Sequence, residues 1–140
     1  MQPNAKLINL VGRILFFGMI VWIVVSNFLD MPSAIGYAQS KGVPLANLLV
    51  PLAQFMLGVA GVLIITGFLP KVGLLIFMGF LAVVTLMMHQ WWNLAGFDLI
   101  IEVHSFQSNL LLLGLAGMLW LTADSWPYTL KDWVARRGKG

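Results

Sequence analysis

Positions 7–29 read LINLVGRILFFGMIVWIVVSNFL, an apolar run broken by one charge, Arg13, and near its end by Ser26 and Asn27. In lipid a chain must satisfy its backbone polar groups within the segment, so a run this long reads as a helix crossing the roughly 30 Å hydrocarbon core. Three further runs follow at 45–69, 72–92 and 106–121. Hydrophobic residues make up 60% of the 140 positions and charged ones 9%, too few to coat a water-facing globule. The pattern predicts an all-α integral membrane protein, a single four-helix bundle. The first run is too long for a signal peptide and has no small-x-small cleavage site after it, so it is expected to be retained.

The link between spans two and three is only the turn around Pro70-Lys71, which makes them an antiparallel pair. Lys6, Arg13, Lys71, Lys131, Arg136, Arg137 and Lys139 then fall at one end of the bundle and Lys41 at the other. By the positive-inside rule this bias predicts a multi-pass protein with both termini cytoplasmic. Trp91 and Trp92 mark the outer interface, Trp126 and Tyr128 the inner one. The segment 32–40, PSAIGYAQS, reads as a short interfacial helix in the first outer loop. In the tail, 124–140, Trp126, Leu130, Trp133 and Val134 share one face with basic residues beside them, predicting an amphipathic surface helix held by membrane lipids. The basic residues are otherwise scattered singly, which speaks against a nucleic-acid partner.

There is no cysteine, hence no disulfide, thiolate metal site or thiol redox couple. His89 and His104 are the two imidazoles, with Asp98 and Glu102 the nearest carboxylates, and their spacing does not make a zinc, di-iron or haem site. No phosphate-binding loop, dinucleotide fingerprint or nucleophile elbow occurs. No metal or resident cofactor is therefore expected, and the isolated chain is not expected to be a self-sufficient enzyme.

Polar residues within spans must find a partner or line a wet cavity. At 100° per residue Gln54 shares a face with Gly58 and Gly61, and His89 shares one with Gly79 and Ala82, small residues that mark packing seams. Asn27 and Asn109 lie at the same outer level. Asn27, Gln54, His89 and Asn109 are thus candidates for an outward-opening pocket walled by Trp91 and Trp92, with Gln90 and Gln107 at its rim. The alternative is that the amides hydrogen-bond one another and fix helix register, at about 0.6 kcal/mol apiece. Arg13, about 9 Å inside the inner end at 1.5 Å per residue, is expected to reach lipid phosphate or another anion.

The order of several motifs resembles the DoxX family of small four-helix bacterial membrane proteins over nearly the whole chain. The first span ends in SNFLD and YAQSKGVP leads into the second, which closes in GVLIITGFLPKVG; MHQWW ends the third and FQSNLLLLGLAGML forms the fourth. The resemblance implies an accessory or scaffold subunit of a larger, redox-linked membrane assembly, with other membrane subunits or further copies of the chain as partners. Its alternative is a quinone- or lipid-binding subunit like that of a thiosulfate:quinone oxidoreductase, with quinone the one cofactor implied; a small transporter is a third reading. His89 and Trp92 match the family pattern. Where relatives often carry lysine, glutamate and lysine, this chain has Asn27, Gln54 and Ser108, so uncharged groups replace three ionisable ones.

Overall fold

The computed structural model describes residues 3–137, so Lys139 of the basic tail lies outside the described residues. Four helices are long and apolar enough to cross a membrane: α1 (Pro3–Leu29), α3 (Ala46–Thr66), α4 (Pro70–Met88) and α5 (Gly96–Thr122). Two short helices complete the set, α2 (Met31–Ser40) between α1 and α3, and α6 (Leu130–Arg137) in the tail. At 1.5 Å per residue α4, with 19 residues, spans about 29 Å, while α1 and α5, with 27 each, overhang a bilayer core by roughly 10 Å.

Buried positions recur every three or four residues: Arg13, Phe16 and Ile20 on α1; Gln54, Leu57, Ala60, Gly61 and Ile64 on α3; Gly73, Leu74, Phe77, Leu81 and Thr85 on α4. Each helix thus buries one stripe and leaves the rest of its apolar surface to lipid. The central pair is α3 and α4; α1 packs on α3, and α5 on α4. Phe16 and Phe77 meet edge to face at 4.8 Å in the middle of the core.

Two glycines allow the close approaches. A Cβ on Gly73 would stand 2.8 Å from the backbone oxygen of Ala60, so α4 rests directly on the α3 backbone just past their turn. Gly61 faces Ile20 and Phe17 of α1 at 3.0–3.4 Å. Gly58 and Gly79, predicted to lie on packing seams, face open space instead. Gly58 borders an open groove between α1 and α3. Helical phase gives a residue's direction but not the distance to the helix opposite.

The element bounds differ from the apolar runs at both ends of the last span. Helix α4 stops at Met88, leaving His89 and the two tryptophans in the connection, and α5 begins at Gly96, ten residues before the fourth apolar run. Asp98 and Glu102 interrupt the hydropathy but not the helix. In the tail, Trp126 is not part of the amphipathic helix but buried at 4% exposure, after a short 3-10 turn (Ala123–Ser125). Pro127 disfavours a helical residue before it, and Tyr128 takes a left-handed φ of 55°. Helix α6 therefore starts only where Thr129 and Asp132 cap each other, Thr129 N–H donating to the carboxylate at 3.1 Å and Asp132 N–H to the hydroxyl at 3.2 Å. These bonds hold the Asp132 carboxyl below its ordinary pKa. Trp133 and Val134 are exposed, and the Arg137 guanidinium stacks on the Trp133 ring at 3.9 Å.

Candidate functional site: the outer cavity and its ion cluster

A cavity of about 440 Å³ occupies the half of the bundle away from the α3–α4 turn. Asn27 of α1, Gln54 of α3, His89 after α4 and Asn109 of α5 all line it, joined by Tyr37 of α2. The remaining wall is apolar, with Leu81, Leu112 and Ile23 among it. Leu49, Leu52 and Met56 of α3 and Val83 of α4 also line it while being exposed, so it is continuous with the bundle's apolar outer surface between these two helices. The α3–α4 pair is clamped near its turn by Gly73, and the cavity lies toward the opposite end.

Gln54 is 7% exposed, and its Oε1 is fully buried without a hydrogen-bond partner. Mutual pairing of amides therefore does not account for Gln54, which lies between the cavity and the groove of α1 and α3 with its acceptor unpaired. Trp92 is not among the lining residues; it is exposed, with its ring 6.2 Å from that of Trp91 in a T-shaped pair. Gln90 and Gln107 are likewise exposed and do not line the space.

Beside His89 the structure shows a cluster that the apolar-run analysis missed. Glu102, on the second turn of α5 and 8% exposed, accepts three hydrogen bonds. Its Oε1 takes the Tyr37 hydroxyl at 3.1 Å and the Lys41 ammonium at 2.5 Å, and its Oε2 faces His89 Nδ1 at 2.8 Å. The cluster ties α2, the end of α4 and α5 into one unit. A buried carboxylate with three donors is a satisfied charge, and it fixes the imidazole beside it. The hydrogen bond to Glu102 holds Lys41 above its ordinary pKa of 10.5, and burial together with the nearby carboxylate pushes the Tyr37 phenol up. Because the folded value for Lys41 is raised, the stability its ammonium gains beside the ionised carboxylate is present below the unfolded lysine pKa and is lost as pH rises through the raised value. The remaining signal in the sequence was the placement of Lys41 and Glu102 as opposite charges on the same outer side. His104 lies apart, exposed, its Nδ1 against the Ile100 carbonyl at 3.0 Å.

At the other end, Arg13 is turned inward and has 0% exposure, rather than extending to a lipid phosphate. Its Nη2 donates to the Pro127 carbonyl at 2.6 Å, and its guanidinium lies 5.2 Å from the centre of the Trp126 ring. The turn leading into α6 folds back over Arg13, a long-range contact that helical phase does not encode. Lys71 pairs with Asp124 at 2.5 Å at this same end. Arg13, Lys71 and the tail thus gather at one end, and Lys41, His89 and Glu102 at the other.

The DoxX family model matches residues 8–90, which takes in α1 through α4 and ends just after His89. The chain belongs to the DoxX family. No curated protein and no solved structure matches it. The family match covers Asn27, Tyr37, Lys41, Gln54 and His89, whereas Glu102 and Asn109 come from the helix beyond it.

Proposed function

We propose that this DoxX-family membrane protein is a non-catalytic accessory subunit whose outer cavity holds a membrane-soluble apolar molecule of quinone or lipid type. The observation that carries the reading is an apolar cavity continuous with the lipid-facing surface, with Gln54, a nearly buried amide whose Oε1 has no hydrogen-bond partner, among its lining residues. An unpaired polar group in such surroundings costs on the order of 1–3 kcal/mol, which a ligand with a complementary head would recover. A hydrophobic tail would leave between α3 and α4 into the bilayer. A small transporter would call for broken spans, whereas α3 and α4 run unbroken.

The test is recovery of the bound molecule. Protein purified in a mild detergent should yield an apolar compound at near-stoichiometric amount on organic extraction and mass spectrometry. Gln54→Leu should lose at least about tenfold of it while circular dichroism reports unchanged helix, since leucine packs but cannot hydrogen-bond. Full retention in the variant, or nothing recovered from the native protein, would refute the reading.

The same reading places both termini in the cytoplasm of a bacterial inner membrane, supported by the basic bias at the end where Arg13, Lys71 and the tail meet. A phosphatase reporter fused after residue 140 should be inactive and one inserted at Asn93 active. The reverse pattern would invert the orientation and turn the cavity toward the inner leaflet.

A further inference from the structure

Helix α5 packs on α4 and buries only Glu102 and Ala116 of its own residues. On its other side His104, Gln107, Leu111, Gly114, Met118 and Leu121 are all exposed. Their alternating spacing of three and four places them on one stripe, the seam spacing of a left-handed helix pair. Any helix face repeats in this way, but this one carries a polar group that lipid does not satisfy. Glu102 is fixed by its bond to His89 at the level where α4 ends, and Gln107, five residues on, lies about 7.5 Å deeper at 1.5 Å per residue. Hydrocarbon offers an amide no partner. Ser26 of α1 and Thr122 at the end of α5, also exposed, donate to carbonyls of their own helices at 2.7 and 3.1 Å, whereas the Gln107 amide has no hydrogen-bond partner among the described residues. Two turns further in, a Cβ on Gly114 would meet nothing within 4 Å, so the glycine serves no contact within the chain and leaves bare backbone where another helix can come close.

We propose that this face of α5 is a homodimer interface, in which two copies pair α5 against α5, parallel, about a two-fold axis normal to the membrane. Copies inserted in the same orientation place like residues at like depth, so Gln107 meets its counterpart and Gly114 its counterpart. A primary amide both donates and accepts, and two of them close a reciprocal pair, which makes the stripe complementary to itself. No Asp, Glu, Lys or Arg occurs between His104 and Leu121 to repel an identical copy. Asn109 lies on the opposite side of α5, in the cavity wall, so the pairing leaves the cavity free and stands independently of what the cavity holds.

The chain has no cysteine, so single introduced cysteines report the contact without background. Under mild oxidation in liposomes, Leu111→Cys should form a disulfide-linked dimer, and Leu15→Cys, on the exposed face of α1, should stay monomeric. Dimer dissociation is then measured by energy transfer between labelled copies across a lipid dilution series. Gln107→Leu should weaken the dimer about fivefold, the value of two interhelical hydrogen bonds in a membrane, and Gly114→Leu should weaken it further, both with unchanged circular dichroism because the two positions are exposed. Equal cross-linking at positions 111 and 15, or dissociation unchanged by both substitutions, would place any dimer contact elsewhere and overturn the proposal. Monomers throughout the dilution series would overturn it too, leaving the stripe to lipid or to a helix of a different protein.

Discussion

Replacing Glu102 with leucine is expected to destabilise the protein by about 3 kcal/mol, the lower end of the range for breaking a buried ion pair. The substitution leaves the Lys41 ammonium, the Tyr37 hydroxyl and the His89 N–H without their common acceptor. Lys41 is partly exposed and can swing toward water, which is why the lower end applies. Thermal unfolding in detergent should fall on the order of 10 °C. Glu102→Gln, which keeps an acceptor oxygen, should fall less. Asp98→Asn, one turn earlier on the same helix and exposed, should stay within about 0.5 kcal/mol of the native protein. Equal effects from Glu102→Leu and Asp98→Asn would show that the cluster does not hold α2 to α5.

Gly73→Leu should be as damaging, for a steric reason. Even the Cβ would come to 2.8 Å from the Ala60 carbonyl oxygen and 3.0 Å from side chains of Leu63 and Ile64. Backbone cannot move aside as a flexible side chain can, so the α3–α4 pair must separate just past its turn, at a cost of about 3 kcal/mol or more. Size-exclusion chromatography should show aggregated or poorly recovered protein. The control is Gly79→Leu on the same helix, where a Cβ meets nothing within 4 Å; it should be recovered normally, helped by the roughly 1 kcal/mol by which glycine disfavours a helix. Normal recovery of Gly73→Leu would refute the close packing of the two helices.

The convergence of Asn27, Gln54, His89 and Asn109 on one space was legible from helical phase and depth alone, because four antiparallel spans joined by short links leave few ways to arrange their polar faces. Trp91 and Trp92 were misplaced as walls of that space because the third span was drawn to position 92, about one turn past Met88, where α4 ends and the connecting loop begins. Glu102 was passed over for the opposite reason. A segment interrupted by Asp98, Glu102, His104 and Ser105 reads as loop, and only the three donors of Glu102, from α2, position 89 and the segment after α2, make it compatible with a buried helix.

Hydropathy and periodicity determined that this chain is helical, that four segments are long enough to cross a membrane and which residues lie at each end; the likeness to the DoxX family came from the order of its motifs. These follow from local rules: backbone hydrogen bonds must close within each span, and a helix repeats every 3.6 residues. What the tertiary structure alone decided were the distances between helices: Gly73 against the Ala60 backbone, Arg13 beneath the Trp126–Pro127 turn, and Glu102 gathering Tyr37, Lys41 and His89. Each is a contact between residues far apart in the chain, and its energy depends on separation and burial, quantities that no pattern along a single strand of sequence contains.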